Sequence, residues 1–276
     1  MENQFSWWLP IDISTHGAEI DSLINLIHWF MAVLFIGWGI YLVYVLIRFR
    51  ERPGHVADVN PRHFKIPGYI EIAIVIFEAV ILIFLSSPIW FKYKKEFPPE
   101  KDALVVRLVA EQFAWNIHYP GKDGKFGRTK RELIDAGTNP IGLDRSDPDG
   151  KDDFTVVNNF HVPLNKPVIV HTSSKDVIHS LNIPVMRVKQ DVVPGMEIPI
   201  WFQATKAGEY EIACAQLCGN GHFRMRGQFF VDSPKDFDKF VAGEMASVAE
   251  SAANAAPAPQ APAAPAPEAG HDGGHH

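Results

Sequence analysis

The chain has 276 residues, 47% hydrophobic and 12% aromatic, which is enough apolar side chain for one or two packed domains and excludes wholesale disorder. A formal net charge of -6, from 26 basic and 32 acidic residues, supplies no basic face of the kind that nucleic-acid binding requires. Two cysteines make neither a disulfide framework nor a four-thiolate metal site, which leaves an idle pair, a redox pair or part of a mixed-ligand centre.

The mean hydropathy of -0.03 conceals segregation along the chain. An N-terminal segment, residues 1–20, has no Lys or Arg and leads into residues 23–47, which carry no charge and close on Arg48, Arg50 and Arg52. About 20 apolar residues cross a bilayer core, so residues 21–48 are predicted to be a transmembrane helix. The stretch is too long for a signal peptide and lacks the basic lead-in of one, so it is expected to stay as an anchor. After a loop at 49–66, the run at 69–91 follows Pro67-Gly68, contains only Glu71 and Glu78 as charges, and predicts a second span over 67–91. Arg48, Arg50, Arg52, Arg62 and Lys65 place that loop in the cytoplasm and both termini outside. Lys92, Lys94 and Lys95, in the linker at 92–102, run against that bias.

Beyond Pro98-Pro99, short β-branched runs between turn residues predict an all-β sandwich over 103–233. Candidate strands are 103–110, 113–119, 154–156, 167–173, 177–183, 197–204, 208–213 and 227–231. Residues 120–153 are dense in turn signals such as Pro120-Gly121 and Asp123-Gly124, and read as a surface excursion. A short helix is predicted at 234–248, with Ser233 as N-cap and Pro234 in the first helical position. The Ala/Pro-rich stretch at 249–276, ending with His271, His275 and His276, is expected to be a disordered tail.

The chemistry is concentrated in Cys214-Ala-Gln-Leu-Cys218-Gly-Asn-Gly-His222-Phe-Arg-Met225. Gly219 and Gly221 argue for a loop rather than a continuous helix. A lone Cys-x-x-x-Cys reads equally as a disulfide or structural pair, but thiolate, imidazole and thioether donors together favour copper. A single blue-copper centre uses one cysteine, so the second allows a second metal. Two bridging thiolates, His222, a weak axial Met225 and one further imidazole would build a dinuclear site, and His179 is the best candidate for that imidazole. His161 and His171 have no soft partner nearby and read as structural, and Met186, Met196 and Met245 read as packing residues.

The two spans, Asp176-Val-Ile-His179-Ser180, Lys189-Gln-Asp191 followed by Pro194-Gly195, and the Cys214 to Met225 loop together resemble subunit II of the haem–copper cytochrome c oxidases, over about residues 21–232. The resemblance implies a cupredoxin domain on the outer, periplasmic side of a bacterial plasma membrane, holding the dinuclear copper centre called CuA. Cys214 and Cys218 would bridge the coppers, His179 and His222 would be terminal ligands, Met225 would be axial to one copper and the carbonyl of Gln216 axial to the other. It also implies a role as electron inlet. Cytochrome c or another small periplasmic donor reduces the centre, and the electron passes to haem in subunit I, where dioxygen is reduced to water with proton pumping. Subunit III is a further expected neighbour, and the chain is not expected to reduce oxygen alone.

Departures from the family pattern matter too. The usual Glu between the cysteines, which helps hold magnesium at the subunit I interface, is Gln216 here and leaves that magnesium site open to question. Phe113, in Gln112-Phe113-Ala114-Trp115, stands where the family has the Trp that accepts the electron, so Phe113, Trp115 and Tyr119 are all candidates for that role, and Trp115 reads also as a core aromatic. By its interval to Pro88, Glu71 matches a family Glu at the mouth of a proton pathway, and Glu78 on the same face reads as an interfacial polar contact. Asp144, Asp147, Asp149, Asp152, Asp153, Asp232, Asp236 and Asp238 form either a solvated face or a docking patch for a basic donor. The alternative function is periplasmic copper delivery, with Cys-x-x-x-Cys and a distant His binding one copper. The thioredoxin-like βαβ pattern of that class is not seen.

Overall fold

The structure, a computed structural model, describes residues 8–54, 56 and 65–254. Helix α1 (Gly17–Arg48) is unbroken. A second helix, Ile66–Lys95, consists of α2 (Ile66–Val80), a π-helical turn (Ile81–Ser86) and α3 (Ser87–Lys95). Pro88 has no N–H to give to the preceding turn, and the Ser87 hydroxyl donates to the Leu82 carbonyl at 2.8 Å, which accounts for the wide turn there. The most apolar stretches of the two helices are 0% and 6% buried within the chain. Such surface is untenable in water and marks both helices as membrane-spanning. They touch through Phe30 and Phe77, whose rings lie 4.6 Å apart.

Both helices outrun the apolar stretches that announced them, α1 beginning at Gly17 and α3 ending at Lys95. Backbone hydrogen bonding continues into the polar turns at the membrane surface, where hydropathy no longer reports on helix. There Glu19 accepts from Lys92 Nζ at 2.7 Å and from the Tyr93 hydroxyl at 2.9 Å, joining the start of one helix to the end of the other.

The expected β-sandwich is present. One sheet has the order β3 (Phe154–Val157), β2 (Ala114–Tyr119), β1 (Leu104–Glu111), β5 (Pro167–Ser174), β8 (Ile198–Gln203). The other runs β4 (Asn159–Pro163), β10 (Arg226–Asp232), β9 (Gly208–Cys214), β6 (His179–Ile183), β7 (Val188–Val192). Alternate side chains of β1 and β10 are buried, as expected of strands with one face on a core. Phe202 of the first sheet meets Phe160 and Phe229 of the second edge-on, at 6.2 and 5.8 Å, which locks the layers together.

Two strands, β4 and β7, are absent from the sequence expectation. Both are sheet edges, and their charged, amide and proline residues (Asn159, His161, Pro163; Lys189, Gln190, Asp191) suppress the apolar alternation that identifies inner strands. The terminal helix α4 (Pro234–Asn254) is longer than expected and takes in the first residues assigned to the tail, because Ala249, Ala252 and Ala253 continue it. Ser233 Oγ caps it, accepting from Asp236 N–H at 3.2 Å. Arg62, His271, His275 and His276 lie outside the described residues.

The excursion at 120–153 is tied down rather than loose. Asp153, fully buried, accepts from His118 Nε2 at 2.7 Å, Gly127 N at 2.8 Å and Gly121 N at 3.2 Å. Ile141 and Leu143, within it, are buried. Asp144 and Asp147 are also buried, held by Lys130 and Arg128, so with Asp153 they drop out of any acidic docking patch. Ile13 is buried and residues 13–15 hydrogen-bond to Val185 and Gln203, so the N-terminal segment packs against the β-domain.

Candidate metal centre

β6 opens with His179, β9 closes on Cys214, and the loop at 215–225 returns to β10. Leu181 pairs with Cys214 in the ladder, which brings His179 beside the loop although 35 residues separate it from Cys214. Cys214 N–H donates to the Met225 carbonyl at 3.0 Å, and Ala215 N–H to the Ser180 carbonyl at 2.9 Å, closing the loop at its base. Gly219 has φ +132°, and a Cβ there would stand 2.7 Å from Gln112 Nε2. A Cβ on Gly221 would overlap the Phe113 ring. Both positions therefore require glycine, and the loop is pressed against the β1–β2 turn.

All six residues expected as ligands converge. The Sγ atoms of Cys214 and Cys218 are 3.8 Å apart, and both thiols are free. His179 Nδ1 is 4.0 Å from Cys214 Sγ, His222 Nδ1 is 3.6 Å from Cys218 Sγ, Met225 Sδ is 3.7 Å from Cys218 Sγ, and the Gln216 carbonyl oxygen is 3.1 Å from Cys214 Sγ. With metal–sulfur bonds near 2.3 Å and metal–nitrogen bonds near 2.0 Å, donors sharing a tetrahedral metal stand about 3.5–3.8 Å apart, so this set fits soft-metal coordination. The donor atoms of His179, Cys214 and Cys218 lie within 4.8 Å of one another. His179, Cys218 and Met225 are buried and His222 is half-buried. Burial first, and then the neighbouring Cys214, push the Cys218 thiol up to about 11, so a thiolate pair here calls for a cation.

Residues without donor atoms in the cluster hold it in place. His179 Nε2 lies 2.8 Å from Asp176 Oδ1, which fixes the proton on Nε2 and leaves the Nδ1 lone pair facing the sulfurs. Although burial opposes it, hydrogen bonds from His179 and from the Gln112 and Val177 N–H groups hold the Asp176 carboxyl below its usual range. Gln112 also donates from Nε2 to the Cys218 carbonyl at 2.6 Å, bridging the ligand loop and the Asp176 support. Neither role was legible in sequence, because each depends on spatial rather than sequential proximity.

The other site candidates fall elsewhere. Trp115 is fully buried, with its ring 6.2 Å from His179, so its core reading is the observed one. Tyr119 is buried at the far end of β2, stacked on Phe154, outside the cluster. Phe113 is partly buried over the ligand loop. The most exposed apolar side chains of the ligand loop are instead Leu217 and Phe223, 76% and 84% exposed. Glu71 and Glu78 are exposed on α2. His161 pairs with Asp232 and His171 with Glu197, as structural histidines do. Met186 is buried, whereas Met196 is exposed in a turn and does not pack as expected.

A β-sandwich on two membrane helices, with two cysteines, two histidines and a methionine gathered at one end, defines a membrane-anchored, cupredoxin-like copper protein. The family model for the periplasmic domain of cytochrome c oxidase subunit II matches residues 104–228. The alternative cytochrome c oxidase subunit 2 of Bradyrhizobium diazoefficiens is 32% identical over 232 residues, spanning 84% of this chain and 81% of its own. Subunit 2 of Cereibacter sphaeroides is 31% identical over 222 residues, 72% and 69% of the two chains. The crystal structure of the periplasmic domain of subunit II (CoxB) from Bradyrhizobium japonicum superposes with a TM-score of 0.41 at 26% identity, covering 55% of this chain and 99% of that one. The chain belongs to the cytochrome c oxidase subunit II family, and so to the components of an oxidoreductase complex.

Proposed function

We propose that this chain is the electron-accepting subunit of a proton-pumping cytochrome c oxidase, with a dinuclear CuA centre that takes electrons from cytochrome c and passes them to haem in subunit I. The observation that carries the reading is the pair of thiols 3.8 Å apart with an imidazole Nδ1 against each. Cys214, Cys218, His179, His222, Met225 and the Gln216 carbonyl would hold the copper. Copper held there supplies a one-electron couple. The protein's part is rigidity: strand ends fix His179 and Cys214, and Gln112 and Asp176 fix the loop and the imidazole, so donors move little when charge changes.

Leu217 and Phe223 give this end an apolar rim over buried sulfurs, which suits a partner that covers the centre and excludes water. Phe113, against the ligand loop, is the favoured inlet residue, since Trp115 and Tyr119 offer no surface to a donor. Glu71 faces subunit I at the mouth of a proton pathway, and subunit III is a further neighbour. Magnesium at the subunit I interface depends on Gln216 in place of a carboxylate, and an amide is the poorer ligand for a hard cation. The N-terminal segment and the β-domain pack together, which supports both helix ends on one face of a bacterial plasma membrane with the termini and β-domain in the periplasm. Copper analysis of the purified full chain tests the centre: two coppers per chain, reducible by cytochrome c, is the expected result. One copper, released to a partner, would instead identify a delivery protein.

A further inference from the structure

A cavity of about 150 Å³ opens where the chain leaves the membrane, lined by His16, Trp90, Tyr93, Lys94, Lys189 and Trp201 among others. The rings of His16, Tyr93 and Trp201 wall it, with centroids 4.7 Å apart for His16–Tyr93 and 5.9 Å for Tyr93–Trp201. Two buried polar atoms here have no partner among the described residues: Trp201 Nε1, which can only donate, and His16 Nδ1. His16 is 3% exposed, hydrogen-bonds the Met186 backbone, and is held below its usual range by burial, so its free nitrogen is an acceptor. Leaving such groups unpaired is costly, which calls for an occupant that satisfies both.

The charges around the cavity point to its chemistry. Lys92 is neutralised by Glu19 and Arg187 by Asp21, whereas no carboxylate among the described residues pairs with Lys94 or Lys189. Lys94 Nζ donates only to the Gln190 side-chain oxygen, at 2.6 Å. Lys94, one of the basic charges that run against the loop's orientation signal, thus joins Lys189 in lining a cavity at the bilayer surface, next to the Trp90 and Tyr93 rings that favour that depth. We propose that this cavity binds the headgroup of a phospholipid in the leaflet facing the β-domain, with Lys94, Lys189 and Trp201 N–H on the phosphate and His16 Nδ1 accepting from a donor on the headgroup alcohol. That donor is the ammonium of ethanolamine or a hydroxyl of glycerol. Choline has none. The inference rests on the membrane anchor and not on the copper reading, so either can fail alone.

Native mass spectrometry of the delipidated full chain, mixed in turn with phosphatidylethanolamine, phosphatidylglycerol and phosphatidylcholine, provides the test. One ethanolamine or glycerol lipid should be retained about ten-fold more than the choline lipid, the difference expected for one hydrogen bond in a partly desolvated site. Lys94→Gln with Lys189→Gln should lower retention by at least about ten-fold with copper uptake unchanged, and Trp201→Phe, which keeps the ring and removes the donor, should lower it less. Equal retention of the three lipids by the native chain, or full retention by both variants, would overturn the proposal. Displacement of the lipid by millimolar inorganic phosphate would also overturn it, by showing a site for the free anion. Headgroup selectivity is read on the native chain, so the result stands even where a variant fails to fold.

Discussion

Asp176 and His179 form a direct support of the metal centre: Oδ1 of one lies 2.8 Å from Nε2 of the other, and the imidazole is wholly buried. The carboxylate fixes the tautomer that presents Nδ1 to the sulfurs. Asp176→Asn keeps the shape and removes the charge. Copper affinity is expected to fall about 10–100-fold, the usual cost of losing such a support, without loss of the β-sheet circular dichroism signal. Competition with a copper chelator measures it, and an unchanged affinity would count against the assigned role.

Met225 is buried with Sδ 3.7 Å from Cys218 Sγ, a weak donor by chemistry and position. Met225→Leu conserves volume and should destabilise the fold by less than about 1.5 kcal/mol. Copper should still load. Loss of an electron-donating thioether disfavours the oxidised state, so the reduction potential should rise, a shift that redox titration of the loaded chain reads directly.

How much of this site was legible in the sequence depends on how local its chemistry is. Cys214, Cys218, His222 and Met225 lie in one loop and announce themselves by residue type, whereas His179, 35 residues before Cys214, was legible only as the best candidate for a missing imidazole until the Leu181–Cys214 pairing set it beside the loop. Asp176 and Gln112 stayed illegible as supports because an acid and an amide in loops signal nothing until the fold sets them beside a ligand. The inner strands followed from apolar alternation. The edges β4 and β7 did not, since solvent-facing edges carry the charges that blur it.

Tyr119 tests the placement of the electron inlet. Its hydroxyl donates to the His161 carbonyl at 2.8 Å and accepts from the His161 N–H at 2.9 Å, remote from the ligand loop. Tyr119→Phe should cost about 0.5–1.5 kcal/mol of stability and leave stopped-flow reduction of copper by cytochrome c unaltered. Phe113→Ala, over the ligand loop, should slow that reduction. The reverse ranking would return the inlet to Tyr119.

Acid should loosen the excursion before it disturbs the copper loop. Burial holds His118 below its ordinary value of 6.5, so it stays neutral, donating to Asp153, with Arg107 and Arg145 opposing its protonation. The unfolded chain gains a proton as pH falls through 6.5 and the folded chain does not, so stability is full above that pH and declines below it. His118→Gln, which donates without titrating, should flatten the fall in Tm between about pH 7 and pH 5, where one such group contributes at most about 1.4 kcal/mol per pH unit. An unchanged slope would exclude His118 as the cause.

Glu71 lies exposed on a membrane helix, a costly position unless it meets protein or water. In the assembled oxidase, Glu71→Gln is expected to slow steady-state oxygen consumption while copper reduction by cytochrome c keeps its native rate. Equal turnover of the two proteins would remove Glu71 from the proton route.

The proposed sharing of two sulfurs by two metals is tested most directly by electron paramagnetic resonance of the oxidised, copper-loaded full chain. One unpaired electron spread equally over two copper nuclei gives a seven-line hyperfine pattern, the expected result. A four-line pattern from a single copper, or no signal at all, would contradict it.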